Sequence, residues 1–260
     1  MKVILFDLDD TLAVSKSRLD PIMATLLSRL LERVDVCIIS GGRYEQFQNQ
    51  VLSALDSSAD LERLHLMPTC GTQYYRWFRL DGWVQQYAED LTEDEKQRAL
   101  TVMEEGARQL GIWETETWGP VLEDRGSQIT FSALGQSAPV DVKLAWDPDG
   151  QKKEALRAYA AERLPDLEPR SGGSTSVDVT RLGIDKAYGV DQLCRIYGLE
   201  LSDLLFVGDR LDEGGNDYPV KAMGVECVAV HGWQDTAQYL TRLLESLPLE
   251  DPLTRPGAPN

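Results

Sequence analysis

The chain predicts an α/β fold, a mostly parallel sheet flanked by helices and interrupted by an α+β insert. Three observations predict it. Short apolar runs stand at residues 3–8, 34–39, 204–207 and 225–230, as in strands buried on both faces. Stretches with apolar residues at helical spacing separate them. From about residue 71 to 185 the texture changes to strands that alternate polar and apolar, the mark of an antiparallel sheet with one wet face.

Taken in order, residues 3–8 form the first buried strand. A helix follows over 19–33, with Pro21 tolerated near its start. The second strand is 34–39. It is followed by Ser40-Gly41-Gly42 and a helix over about 44–55, whose Tyr44 and Phe47 read as core. Strand, helix, strand, helix implies right-handed crossovers in a parallel sheet. Aromatic residues crowd 72–87 around Asp81-Gly82, a hairpin signal. Packing between sheet and insert is the simplest use for that much aromatic surface. A helix over 92–110 opens with Thr92 and Glu95, a capping-box pair. Residues 127–134 and 174–180 alternate as half-wet strands, and 151–163 reads as helix. The first texture then returns: a helix at 186–197, strands at 204–207 and 225–230, and an amphipathic helix at 233–246. The expected layout is core at 1–82, insert at 83–185, core again at 186–249, and a Pro-rich flexible tail at 250–260.

Composition narrows the function. The 260 residues carry a net charge of −17. Such a surface repels phosphate backbones and anionic lipid, which argues against nucleic-acid and membrane partners. Six Trp, nine Tyr and five Phe give the chain ample surface to bury, so it is not a disordered protein. Two histidines exclude a multi-His zinc site. Four scattered cysteines, none in a CxxC pair, read as buried thiols of a reducing compartment. No apolar run nears the ~18 residues of a membrane span, and the apolar start is too short for a signal peptide. The expected location is cytoplasmic.

The chemistry concentrates at strand ends. Asp7-Leu8-Asp9-Asp10-Thr11 follows the first buried strand, where parallel-sheet sites form. Carboxylates gathered there repel one another unless a cation neutralises them, and hard oxygen ligands suit Mg²⁺. A turn of solvated acids is the alternative. Gly208-Asp209 ends another buried strand, and Gly214-Gly215-Asn216-Asp217 follows. Asp209 and Asp217 add metal or water ligands. Ser40 and Gly41, between a strand and a helix, can hold an anion through hydroxyl and N–H groups. Ser40 also reads as a plain helix N-cap. Lys186 can reach the same anion, or lie solvated on the surface. A divalent cation bridging Asp7 and Asp209 requires their carboxyls within about 8 Å.

Together these motifs resemble the haloacid dehalogenase-like (HAD) superfamily, with Asp7-Leu8-Asp9-Asp10-Thr11, Ser40, Lys186, Gly208-Asp209 and Asn216-Asp217 in the family's order. The resemblance implies a Rossmann-like parallel-sheet core with an inserted C2-type cap, subclass IIB. It implies Asp7 as nucleophile forming an aspartyl-phosphate, and Asp9 as general acid/base. Mg²⁺ is implied on the Asp7 carboxylate, the Asp9 carbonyl and Asp209, beside the Asp217 already read as a candidate ligand. Thr11, Ser40, Gly41 and Lys186 are implied around the transferring phosphate.

Within the subclass the spacing is similar to phosphomannomutases of the eukaryotic type. The run Gly172-Gly173-Ser174-Thr175-Ser176-Val177-Asp178-Val179 matches their cap, and Gly214 to Asp217 their last motif. This implies Ser176, Asp178 and Arg125 as substrate contacts, Lys143 in the place of a further arginine, and pairing of two copies through the cap. Arg125 also reads as an ion pair with Glu123 or Asp124. Trp113, Trp118 and Trp146 read as packing before sugar stacking. Gln136 stands where the family has an arginine, Lys16 replaces a core arginine, and Asp10 replaces the usual glycine. Lysine offers a point charge in place of a fork, which weakens a second phosphate site and leaves the core chemistry intact.

The expectation is therefore a Mg²⁺-dependent phosphohydrolase acting on a small phosphorylated metabolite, such as a sugar phosphate, under a cap that excludes bulk water. A phosphomannomutase is the alternative. A non-catalytic binding protein of the same fold is the third reading.

Overall fold

A computed structural model describes residues 2–248. The expected tail at 250–260 lies outside the described residues. Two compact units emerge, one built from Met1–Tyr87 with Asp185–Asn260, the other from Ala88–Ile184.

The first unit is organised by a seven-stranded sheet. Its strands are β1 (Val3–Phe6), β2 (Asp35–Ile39), β3 (Leu64–Met67), β4 (Gln73–Phe78), β5 (Gly82–Ala88), β10 (Leu204–Gly208) and β11 (Glu226–Ala229). The order is β11-β10-β1-β2-β3-β4-β5. β11 through β3 pair parallel, and β4 returns antiparallel on β3. Alternate residues of β1 and β2 feed two cores. Ile4, Phe6, Val36 and Ile38 face helices α1 (Pro21–Leu31) and α8 (Trp233–Ser246). Val3, Leu5, Cys37 and Ile39 face α6 (Lys186–Tyr197) and α7 (Tyr218–Ala222). Burial on both faces explains the unbroken apolar runs. β5 carries the sheet to Ala88, and this unit runs to Tyr87, five residues past the expected 82/83 boundary. The aromatic hairpin belongs to it: Tyr74 is buried and its hydroxyl lies 2.6 Å from His65 Nδ1 and 2.7 Å from Tyr197.

The expected helix over 44–55 is short. α2 (Tyr44–Phe47) passes into a π-helical turn at Gln48–Leu52. Such widened turns re-aim side chains and recur at functional sites.

The second unit is a four-stranded antiparallel sheet, β6-β7-β9-β8, from β6 (Leu122–Asp124), β7 (Ile129–Ser132), β8 (Leu167–Ser171) and β9 (Ser176–Arg181). Ile129, Phe131, Val177 and Val179 pack with Met103 of α3 (Glu93–Gln109) and Leu156 of α5 (Gln151–Arg163). α4 (Val140–Trp146) lies between them in sequence. The Thr92–Glu95 capping box opens α3 as expected. Trp146 is buried in this core and donates to Glu114. Trp113 packs against it and Trp118 is exposed. Among the described residues, no helix is long and apolar enough to cross a membrane.

Candidate active site

The carboxyl ends of β1 and β10 lie side by side because those strands pair parallel. That pairing brings together acids some two hundred residues apart. Single carboxylate oxygens of Asp7, Asp209 and Asp217 all lie within 4.8 Å of one another, well inside the reach of one cation. Asp217 is fully buried, and its Oδ2 accepts from the Arg210 N–H at 3.0 Å. Gly208 is what admits it: a Cβ at 208 would stand 2.4 Å from Asp217 Oδ2.

Lys186 is buried at the start of α6, and its Nζ lies 2.5 Å from both Asp7 Oδ1 and Asp217 Oδ1. The solvated alternative for this lysine is thereby excluded. The first turn of α6 is seated by a glycine contact. Gly71, at φ 87°, would place a Cβ 2.3 Å from the Gly189 Cα, so only two glycines permit that approach.

The electrostatics follow from three carboxylates sharing one ammonium. Burial pushes the Asp7 carboxyl well up, Asp217 adds to this, and Lys186 opposes it. Asp209 is raised by burial and then by Asp217. Burial works to discharge Lys186, but Asp7 and Asp217 together hold its pKa above the usual lysine range. The second oxygen of Asp7 has no hydrogen-bond partner among the described residues. Such a carboxylate set, deficient in positive charge and made only of hard oxygen donors, fits Mg²⁺.

Asp9 is handled differently. Its Oδ1 accepts from the Lys16 N–H at 2.8 Å and Gln50 Nε2 at 3.2 Å. Its Oδ2 accepts from Lys16 Nζ at 2.8 Å and Gln46 Nε2 at 2.9 Å. Burial works to raise this carboxyl, yet the Lys16 charge and these donors hold it below the ordinary aspartate range. Its carboxylate is outside the Asp7–Asp209–Asp217 cluster, whereas the sequence reading counts Asp9 among the metal residues. Thr11 is buried, and its hydroxyl donates to Asp209 Oδ1 at 3.3 Å. Ser40 does not cap α2, whose N-cap is Arg43. Its buried hydroxyl instead accepts from the Gly42 N–H, and Gly41 is half-buried beside it. Asp10 has φ 61°, which explains why a glycine suits this position: the left-handed region is open to glycine and tolerated by aspartate.

In the second unit, register aligns Ser132 with Ser176 and Thr130 with Asp178. Asp178 Oδ1 accepts from the Thr130 hydroxyl at 2.7 Å, and Gln128 donates to that hydroxyl at 2.8 Å. A Cβ at Gly172 would stand 2.6 Å from Ser176 Oγ and 2.8 Å from Asp178 Oδ2, so the two side chains converge over this turn. Lys153, which sequence reasoning missed, donates to the Gly173 carbonyl at 2.9 Å. Arg125 is buried and grips Glu123 Oε2 through Nε at 3.3 Å and Nη2 at 2.7 Å. Of its two expected partners Glu123 is engaged, in a buried pair rather than at the surface. Lys143 Nζ donates to the Gln136 carbonyl at 2.6 Å.

The family profile of eukaryotic phosphomannomutase matches residues 23–246. The chain belongs to that family. Through it the chain falls within the HAD-like phosphotransferases and phosphatases. The match begins after the Asp7 motif, so the nucleophile rests on the residues and geometry above. Phosphomannomutase 1 of Homo sapiens is similar at 26% identity over 228 residues, covering 84% of this chain and 82% of that protein. Two solved structures share the fold. An IMP-nucleotidase from Plasmodium falciparum aligns at TM-score 0.67 and 16% identity, over 93% of this chain and 69% of that one. A haloacid dehalogenase-like hydrolase from Bacteroides thetaiotaomicron aligns at TM-score 0.59 and 16% identity, over 93% and 99%.

Proposed function

We propose that this protein moves a phosphoryl group between positions of a hexose phosphate, as a phosphomannomutase does, through an aspartyl-phosphate on Asp7. The observation that carries the reading is Lys186 seated between Asp7 and Asp217 with Asp209 close by. Family membership favours a sugar hydroxyl over water as the acceptor. Asp7 attacks phosphorus through its second oxygen as the bond to the leaving oxygen breaks, and Asp9 returns to that oxygen the proton it took from the acceptor hydroxyl of the preceding transfer. An acceptor hydroxyl then gives its proton to Asp9 and bonds to phosphorus, and the electron pair of the Asp7–phosphorus bond returns to the carboxylate. Lys186, Thr11, Ser40 and Gly41 surround the charge that develops on the phosphoryl oxygens. Mg²⁺ on Asp7, Asp209, Asp217 and the Asp9 carbonyl would add electrostatic stabilisation of that charge. Arg125, Ser176, Asp178 and Lys143 are the proposed sugar and distal-phosphate contacts. The four free cysteines support a cytoplasmic location.

Hydrolysis is the second reading. It is favoured by Gln136 and Lys143, which stand where arginine forks are expected and are bonded to each other. The experiment follows mannose 1-phosphate by ³¹P NMR with a hexose bisphosphate activator and Mg²⁺. Mannose 6-phosphate as the main product is expected, inorganic phosphate as the main product selects hydrolysis, and EDTA stops either. Asp7→Asn abolishes turnover, and activity retained there refutes the covalent step.

A further inference from the structure

The Asp9 carboxylate carries four hydrogen-bond donors, two from Lys16 and one each from Gln46 and Gln50. The arrangement is connected. Lys16 Nζ also donates to Gln46 Oε1 at 2.7 Å, and Gln50 Nε2 also donates to the Ser17 carbonyl at 2.8 Å. Lys16 adopts φ 58° to point its N–H and its ammonium at one carboxylate, a conformation side chains avoid without compensation. The π-helical turn at Gln48–Leu52 carries Gln50 to the same acid.

Gln50 is 2% exposed. Its amide nitrogen serves Asp9 and Ser17, while its Oε1 is buried with no hydrogen-bond partner. A buried orphan acceptor is costly and calls for an explanation. The Gln50 main-chain carbonyl already holds the 15–19 loop through the Leu19 N–H at 2.9 Å. The side-chain nitrogen adds a second tie to that loop at the Ser17 carbonyl and, from the same nitrogen, a donor on Asp9.

We propose that Gln50, with Gln46 and Lys16, is a positioning residue of the second half-reaction: it aims the Asp9 carboxylate at the acceptor hydroxyl. In that step the acceptor O–H proton passes to Asp9, the acceptor oxygen bonds to phosphorus, and the Asp7–phosphorus bond breaks with its electron pair returning to Asp7. The inference rests on the aspartyl-phosphate reading above. It adds residues that no part of that reading uses.

The test separates formation of the phosphoenzyme from its breakdown, using p-nitrophenyl phosphate with Mg²⁺. Nitrophenolate leaves without a proton, so formation does not need Asp9, whereas breakdown needs it as base. In Gln50→Met the nitrophenolate burst stays within about threefold of wild type, while decay of the phosphoenzyme slows by about tenfold or more. A purely structural role lowers both phases together, and that outcome, or an unchanged decay, overturns the proposal. Where Gln50→Met does not fold, Gln46→Met is read in the same two phases. Two controls keep the failures apart. Absence of the burst in Asp7→Asn and its survival with trapped phosphoenzyme in Asp9→Asn uphold the underlying reading. If Asp9→Asn decays at the wild-type rate, that reading fails, whatever Gln50 does.

Discussion

The two units treat charge in opposite ways. In the first, three carboxylates share the Lys186 ammonium, so the cluster is left short of positive charge. In the second, the cations are already engaged: Arg125 with Glu123, Lys143 with the Gln136 carbonyl, Lys153 with the Gly173 carbonyl, and Arg170 with Glu168. The first set demands an added cation. The second is closed on itself, so under the proposed function an incoming anion competes with partners already in place. On the proposed function, chemistry is written into an imbalance and recognition into an exchange of partners.

The strongest way to break this comparison is Lys186→Met. Removing the shared ammonium leaves buried carboxylates facing one another, so stability falls by about 3–5 kcal/mol. Turnover drops by at least about a thousandfold. Denaturant unfolding and steady-state rates measure both, and Mg²⁺ restores part of the stability without the turnover. A variant retaining a tenth of wild-type activity removes the claim that this charge is shared by design. The comparison sharpens with Gln136→Arg combined with Lys143→Arg, which places two forks where the second unit has a self-satisfied pair. The ratio of isomerised sugar phosphate to inorganic phosphate rises by about tenfold, since a fork holds phosphate bidentately where an ammonium does not. An unchanged ratio places distal recognition elsewhere. The smallest effect belongs to Asp10→Gly. Glycine relieves φ 61° but surrenders the 3.1 Å bond from Ser15 N–H, so thermal unfolding shifts by less than about 1 kcal/mol. A larger loss assigns Asp10 an electrostatic role near Asp9.

Much of the first unit was legible because its strands are buried on both faces and read as apolar runs, and because acids at two strand ends are hard to explain separately. Lys186 was ambiguous from composition, and only the parallel pairing of β1 with β10 decided it. β3 escaped notice: Leu64–Met67 is four residues with a histidine inside. β8 carries Pro169, which is tolerated because the strand lies at the sheet edge. The α2 helix looked longer because its apolar spacing continues through a π turn that no periodicity distinguishes. Gln46 and Gln50 were missed for a related reason. Uncharged amides carry no signal of their own, and only their aim at Asp9 reveals them. In the second unit the Ser176–Asp178 alternation was visible, but Lys153 was one lysine on a polar helix until the Gly172–Gly173 turn came to meet it.

The strand order has a consequence for how the chain is made. β1 sits between β2 and β10, yet its contact to β10 joins residues about two hundred positions apart, and the bond from Lys186 to Asp7 spans 179. During synthesis at about 5–20 residues per second, one flank of β1 waits many seconds for its neighbour while the intervening unit emerges. For that interval the apolar Val3–Phe6 edge is open to other chains. Substitutions that slow folding of residues 88–184 will therefore show first as lost yield, and only afterwards as lost rate.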